Sequence, residues 1–337
     1  MRISSSFTAG TLLALAASLA AGQRALAITT LPYQQMVVFG DSLSDVGNLN
    51  SADGGVGPGT STNYAVGEFT DGPLTTPAVP TGGPEDVWAQ QLDNKLGLPA
   101  LTYSLNGGSD YAYGGAATGG PVSYSGLSVP GMQDQVNTYL TNVGNRAPAN
   151  DLYALWGGAN DIFNAAAASG ATTASIDAAA STAAANIDGE IASLYAAGAR
   201  DFLWLNLPPL DKTPDGAGNS NLADATTTFN NAWSTDVAAL NGSQTMGHVI
   251  GVNIDTLVNQ IINDPSAYGL TDVTDPAQGL TGVNPDTYLF WDGVHPTTAG
   301  HALIAGAAYQ QVVPEPAALS LLMLSGLGLL LLRRTST

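Results

Sequence analysis

The chain has 337 residues, of which 45% are hydrophobic, and it carries a formal net charge of −19. This apolar fraction supports a sizeable core and excludes wholesale disorder, while the acidic balance disfavours nucleic acids and anionic lipid headgroups as partners. The chain contains no cysteine, which excludes a thiol nucleophile, disulfide bonds and cysteine-ligated metal sites.

The first 27 residues have the pattern of a cleaved secretory signal peptide. Arg2 is followed by an apolar run over residues 11–21, and the segment closes with small residues at Ala25 and Ala27. The apolar run is too short to span a bilayer comfortably, which favours a signal peptide over the alternative of an N-terminal membrane anchor.

The central part of the chain alternates short apolar runs with helical stretches, a pattern typical of an α/β domain with a parallel sheet. Strands are predicted over residues 36–39, 101–105, 152–156, 202–205 and 248–254. Helices are predicted over residues 87–96, 132–140, 176–197, 223–240 and 297–310. Residues 49–84 are rich in Gly, Pro, Thr and Ser and are predicted to form a long loop near the functional site.

A candidate nucleophile, Ser42, stands where the first predicted strand ends, in the segment Gly40-Asp41-Ser42-Leu43-Ser44-Asp45. Open parallel sheets bind ligands at the carboxyl ends of their strands, so Ser42 is expected at the mouth of a site. A helix beginning soon afterwards would direct its dipole towards the Ser42 N–H. A serine in this position is also common as a turn or cap residue, and this segment alone leaves both interpretations open.

A candidate base lies near the other end of the domain, in Asp292-Gly-Val-His295. A serine hydroxyl attacks poorly unless a base takes its proton, and a histidine base needs a partner on its other ring nitrogen. Asp292, three residues earlier, can supply that partner. Of the other two histidines, His248 begins a predicted strand and His301 lies in an amphipathic helix, so both are interpreted as structural.

Candidate donors for an oxyanion follow two further strands. They are Gly114 and Gly115 in one segment, and Asn160 in Gly157-Gly-Ala-Asn160-Asp161 in the other. A glycine allows close approach to the backbone, and an asparagine amide is a neutral donor. Each also fits ordinary turn chemistry when taken alone.

In their order along the chain, these segments resemble the GDSL family, also called SGNH hydrolases. Residues 40–48 are similar to the first block of the family, 111–116 to the second, 158–161 to the third and 292–295 to the fifth. The resemblance covers about residues 33–311, which are therefore predicted to form the hydrolase domain.

The resemblance implies a three-layer α/β/α sandwich, similar to flavodoxin, with about five parallel strands. It implies that Ser42 is the nucleophile and that His295 is the base, oriented by Asp292. The implied activity is hydrolysis of carboxylic esters, as an esterase or lipase, through an acyl-enzyme and without a metal or other cofactor.

The implied oxyanion hole consists of the Ser42 N–H, a glycine N–H and the Asn160 side chain. Spacing within the block favours Gly115, with Gly114 as the close alternative. One departure from the family pattern is Asp110, at a position that the second block often fills with Asn. The substitution puts in doubt the packing beneath the oxyanion glycine.

Several alternatives stay open at this stage. A non-catalytic extracellular-matrix protein that binds glycan could keep the same fold, and an acyltransferase could use the same triad. The absence of a Gly-x-Ser-x-Gly segment argues against an ordinary α/β-hydrolase, and the lack of a second histidine at ligand spacing argues against a metal-dependent hydrolase. Short-chain esters, lipids and acetylated glycans all remain candidate substrates.

Residues 313–337 resemble a PEP-CTERM sorting signal. Val313-Pro-Glu-Pro316 precedes an apolar run over residues 317–332, which Arg333 and Arg334 close. The resemblance implies processing by an exosortase-type machinery, with a plain C-terminal anchor as the alternative. Terminal arginines stay in the cytoplasm, so both interpretations place the domain in the cell envelope or outside the cell.

Overall fold

A computed structural model of the protein describes residues 33–59, 62–71, 87–124, 126–243 and 247–313. The predicted signal peptide and the predicted sorting tail beyond residue 313 lie outside these ranges. Among the described residues, no helix combines the length and the apolar character needed to cross a membrane. Residues Tyr33–Val312 form one compact unit.

Strands and helices alternate along the described chain. Within it, the strands are β1 (Met36–Gly40), β2 (Val122–Tyr124), β3 (Leu127–Val129), β4 (Leu152–Trp156), β5 (Asp201–Leu205), β6 (His248–Val252), β7 (Asp272–Pro276) and β8 (Tyr288–Phe290). The α-helices of the same ranges are α1 (Asn48–Ala52), α2 (Trp88–Leu96), α3 (Met132–Asn142), α4 (Ala159–Ala167), α5 (Thr173–Ala197), α6 (Ser220–Gly242), α7 (Ile254–Asn263) and α8 (Thr298–Val312).

The central sheet is parallel, with its strands in the order β1-β4-β5-β6. Gly40, the last residue of β1, lies opposite Trp156, the last residue of β4, so the segments after both strands emerge at the same edge. Every residue of β1 and β4 is buried, as expected for strands covered on both faces. The predicted α/β class and parallel sheet are confirmed, with four strands in this sheet where about five were expected.

The predicted strand over residues 101–105 is wrong. Only Leu101 of its two leucines is buried, Leu105 is 54% exposed, and a 3₁₀ turn begins at Ser104. The backbone just after this segment lies beside β1 instead: Tyr111 N–H donates to the Val38 carbonyl at 2.8 Å. The alternation of apolar residues over 101–105 favoured a strand there. The segment that lies beside β1 is instead fixed by hydrogen bonds between residues far apart in the sequence, which the local pattern does not contain.

The predicted helices are present, each within a few residues of its expected bounds, as α2, α3, α5, α6 and α8. The prediction that strand 248–254 continues to Ile254 is wrong. The strand ends at Val252 because the Asn253 side chain accepts the Thr256 N–H at 2.8 Å and so begins α7. The sequence did not predict this helix. The helix expected soon after Ser42 is α1, which reaches into the predicted loop 49–84, and α4 lies where no element is predicted.

Helices cover both faces of the sheet. Val37 and Phe39 of β1 point to the face on which α3, α5 and α6 pack, in one apolar cluster with Trp204 and Phe229. On the opposite face, the ring of Trp88 from α2 meets that of Trp156 edge-on, and α2 packs beside α8. This three-layer arrangement leaves the carboxyl ends of β1 and β4 open to the site.

Candidate active site

Ser42 lies in a tight turn immediately after β1. The Asp41 carbonyl accepts the N–H groups of Ser44 and Asp45, both at 3.0 Å, which bends the chain away from the strand. The Gln135 side chain from α3 holds the end of the strand, because its amide accepts the Gly40 N–H at 2.9 Å and donates to the Gly40 carbonyl at 2.8 Å. The hydroxyl that follows is thus carried on a rigid backbone.

Ser42, His295 and Asp292 form a continuous chain of hydrogen bonds. His295 Nδ1 is 2.6 Å from Asp292 Oδ2, and His295 Nε2 is 2.7 Å from Ser42 Oγ. With the Nδ1 proton directed at the carboxylate, Nε2 is the acceptor and the serine hydroxyl is the donor. This is the arrangement in which an imidazole can take a proton from an attacking hydroxyl.

The Asp292–His295 turn is shaped by its own carboxylate. Asp292 Oδ1 accepts the N–H groups of Val294 at 2.8 Å and His295 at 2.7 Å, leaving Oδ2 for the imidazole. The two residues are three apart, so this geometry is local, and the turn comes just before α8. Phe69 stacks on the imidazole, with ring centroids 4.8 Å apart, and restricts its rotation.

Tyr64 adds a contact that the sequence interpretation missed. Its hydroxyl donates to Asp292 Oδ2 at 2.6 Å, so this oxygen receives hydrogen bonds from both the phenol and the imidazole. Tyr64 lies in the predicted loop 49–84 and also packs edge-on against Phe69. No signal in the sequence singles out this tyrosine, since its partner is 228 residues away.

The electrostatics of the pair favour an ionised aspartate. Burial acts to raise the pKa of Asp292, but the facing His295, the Tyr64 hydroxyl and backbone N–H groups outweigh it, so the pKa lies well below its ordinary value. Burial and the neighbouring Asp292 raise the pKa of Tyr64, which keeps the phenol neutral and able to donate. The site therefore holds one fixed negative charge behind the imidazole.

Donors for an oxyanion line the same cavity as Ser42 and His295. Gly114 donates its N–H to Asp45 Oδ2 at 2.7 Å, so that group is already engaged. Within the described residues, nothing accepts the N–H of Gly115, and the same holds for Ser42. Of the two glycines left open by the sequence, the geometry thus favours Gly115.

Asn160 is oriented by the loop that contains Gly115. Its Nδ2 donates to the Ala116 carbonyl at 2.9 Å and lies 3.5 Å from Asp41 Oδ2, which leaves one amide proton weakly engaged. Asn160 belongs to the first turn of α4, which begins directly after β4. The Asp41 carboxyl beside this amide is buried, and burial raises its pKa to about 7.

A network of carboxylates and amides supports this loop. Asp45 accepts N–H groups from the start of α1 as well as from Gly114, and Asn48 Nδ2 donates to the carbonyls of Asp110 and Ala112. Asp110, the departure from the family pattern, accepts the N–H groups of Val46 and Ala112 at 3.0 Å each. The carboxylate therefore satisfies backbone donors beneath the glycine loop.

The other two histidines lie away from Ser42 Oγ. His301 is fully buried in α8 and its Nδ1 accepts the Trp88 N–H at 3.2 Å, and burial lowers its pKa to about 3. His248 is exposed at the start of β6, 3.6 Å from Asp201. Among the described ranges, no three His, Asp or Glu side chains are grouped so that they could hold a metal ion.

Comparison with known proteins adds a family assignment. A family model described as GDSL-like lipase/acylhydrolase matches residues 36–308. A protein of Pseudomonas putida described as an uncharacterized protein in the trpE-trpG intergenic region is 30% identical, with 86% of this chain and 50% of that protein covered. Esterase EstA of Pseudomonas aeruginosa is 28% identical, with coverages of 82% and 46%.

A phosphatidylcholine-sterol acyltransferase of Aeromonas hydrophila is 25% identical, with 82% of this chain and 89% of that protein covered. The chain spans about half the length of the two Pseudomonas relatives.

Proposed function

Because the chain belongs to the GDSL-like lipase/acylhydrolase family, we propose that it is a serine esterase that hydrolyses carboxylic esters through Ser42, His295 and Asp292. The observation that carries the proposal is the hydrogen-bonded series Asp292–His295–Ser42, with distances of 2.6 and 2.7 Å between groups up to 253 residues apart. The similarity to an esterase supports the same reaction class.

The proposed reaction proceeds in two steps. Ser42 Oγ attacks the ester carbonyl while His295 Nε2 takes its proton, and Asp292 stabilises the resulting imidazolium. The negative carbonyl oxygen is bound by the N–H groups of Ser42 and Gly115 and by the Asn160 amide. His295 then returns the proton to the leaving alcohol, and water releases the acyl group by the reverse sequence.

The test is to remove the proposed nucleophile and to measure the loss of activity. Ser42→Ala should lower kcat/KM for p-nitrophenyl butyrate by about a thousandfold or more while the fold is retained. Ser51→Ala, which removes an exposed hydroxyl from α1, is the matched control and should keep full activity. A fluorophosphonate probe should label Ser42, and His295→Ala should suppress the labelling. Full activity of Ser42→Ala would reject Ser42 as the nucleophile. Absence of both hydrolysis and labelling in the wild-type protein would reject the proposal in favour of a non-catalytic glycan-binding protein.

An acyltransferase is a second candidate, favoured by the similarity to the Aeromonas acyltransferase along most of both chains. Such an enzyme would use the same acyl-enzyme and pass the acyl group to an alcohol other than water. Mass spectrometry of the products, with ethanol or glycerol added at increasing concentration, distinguishes the two. Transfer that exceeds hydrolysis at low millimolar alcohol would establish the acyltransferase.

Export is proposed on the sequence of the two terminal segments. Residues 1–27 direct secretion, and residues 313–337 act as a sorting signal that an exosortase-type machinery removes. The enzyme would then meet its substrate in the cell envelope or outside the cell. N-terminal sequencing of the mature protein should find Ile28 as its first residue, and intact mass should show loss of the tail. Retention of both segments would reject export by this route.

A further inference from the structure

The cavity at Ser42 continues far beyond the reacting groups. Its volume is about 240 Å³, and it extends between the ends of the strands and the helices α7 and α8. Its polar lining is concentrated at Ser42, Asn160 and His295, with Asp41 beside them. The cavity therefore has a polar end at the nucleophile and an apolar remainder.

The apolar remainder is lined by one face of α7, by the facing part of α8 and by residues 208–210 and 289–290. Ile254, Val258 and Ile261 follow one another at helical spacing and are at most 6% exposed, and Ile304 of α8 is 3% exposed. Thr213, a further hydroxyl in the lining, donates to the Leu210 carbonyl and accepts the Gly216 N–H inside its own turn. The Thr213 hydroxyl is thus already engaged within the protein.

Such a lining selects against sugars and in favour of hydrocarbon. A sugar placed here would lose its hydrogen bonds to water without replacement, whereas each buried methylene is favourable. A cavity of about 150 Å³ holds the six carbons of benzene, so 240 Å³ corresponds to roughly ten carbons, of which the ester carbonyl takes one. An acetyl group would leave most of this volume empty.

We propose that this cavity holds the acyl chain, and that the substrates are esters of linear fatty acids of about eight to ten carbons. The inference rests on the proposed function, because it assigns the acyl side of the ester to the interior behind Ser42. Each added methylene should raise kcat/KM by about fourfold until the cavity is filled.

The test is the dependence of kcat/KM on acyl length, measured with p-nitrophenyl esters from acetate to palmitate below their aggregation limits. We expect a rise of at least about a hundredfold from acetate to octanoate, a maximum at eight to ten carbons, and a fall beyond it. Hydrolysis of acetate with no rise by octanoate would overturn this inference and leave the esterase proposal intact. Absence of hydrolysis at every length would reject the esterase proposal and this inference with it.

Variants in α7 test where the acyl chain of the substrate lies. Val258→Phe should lower the ratio of kcat/KM for octanoate to that for acetate by at least about tenfold, because the ring takes the space of several methylenes. Val258→Ala enlarges the same space and should shift the maximum to longer chains. Thr256→Phe, which adds the same ring on the exposed side of the same helix, is the control and should leave the ratio unchanged. Equal profiles for wild type and both Val258 variants would overturn the assignment.

Discussion

Replacing Gly115 by alanine should impair the reaction far more than it impairs folding. Gly115 has φ of +79°, a left-handed conformation that costs an L-residue about 1–2 kcal/mol. A Cβ at this position would lie 2.7 Å from Cδ2 of the Tyr124 ring, well inside the usual 3.5–4.0 Å between carbon atoms. The contact is relieved by a movement of about 1 Å of the ring or of the backbone, and alanine also disfavours the left-handed conformation; a shift of the backbone displaces the N–H offered to the oxyanion.

The magnitude follows from the function proposed for that N–H. Loss of one oxyanion donor costs roughly 2.7–4 kcal/mol in the transition state, which corresponds to a fall in kcat of about a hundredfold to a thousandfold. Binding of the uncharged ester is little changed, so KM should stay within about twofold of wild type. The thermodynamic penalty should be the roughly 1–2 kcal/mol of backbone strain plus the cost of relieving the contact with Tyr124.

Gly107→Ala is the matched control for the strain. Gly107 has φ of +80°, and nothing lies within 4 Å of the place where its Cβ would be. Gly115→Ala should lose at least as much free energy of unfolding as Gly107→Ala in urea titrations, whereas only Gly115→Ala should lose kcat on p-nitrophenyl butyrate. A kcat for Gly115→Ala within about threefold of that for Gly107→Ala would refute the assignment of this N–H to the oxyanion.

Tyr64→Phe removes one of the two side-chain hydrogen bonds on Asp292 Oδ2 and should lower kcat by about threefold to tenfold with KM unchanged, since the pair is less firmly oriented; an unchanged kcat would contradict a positioning function. Gln135→Leu leaves the buried Gly40 N–H unpaired, whereas the Gly40 carbonyl keeps the Tyr113 N–H at 3.2 Å, so the free energy of unfolding should fall by roughly 1–3 kcal/mol in urea titrations, and a loss below about 0.5 kcal/mol would contradict the contact. The free energy of unfolding should be higher at pH 5 than at pH 8 by a few kcal/mol, because burial raises the pKa of Asp41 to about 7 and that of Asp45 to about 6. The native state then binds more protons than the unfolded chain between pH 4 and 7, so stability falls as pH rises through that window, and an increase over the same range in the same titrations would contradict the reasoning.

Local sequence was sufficient for the parts of the site that depend on near neighbours. Asp292 and His295 are three residues apart, so one turn brings carboxylate and imidazole together. The continuous apolar run of β1 placed Ser42 at a strand end, because buried parallel strands have a recognisable pattern. The resemblance to the GDSL family then supplied the pairing of Ser42 with His295, which no local pattern gives.

Sequence patterns failed where hydrogen bonds between distant residues decide the conformation. Residues 101–105 have a strand-like alternation of apolar side chains, yet the segment around Asp110 is the one that lies beside β1. In the run that forms β6, Asn253 is the one polar side chain between Val249 and Ile254, and its cap ends the strand and begins α7. That helix supplies three of the apolar residues that line the cavity, Ile254, Val258 and Ile261, so substrate length could not be inferred before its position was known.

The sequence by itself determined the fold class, the order of most core helices and strands, and the chemical groups that meet at the site. Only the tertiary structure decided that Gly115 and not Gly114 has its N–H unengaged, that Tyr64 reaches Asp292, and that the cavity behind Ser42 is apolar. The physical reason is range: periodicity and turns act over a few residues, whereas hydrogen-bond partners and cavity walls are contributed by segments up to some 250 residues apart.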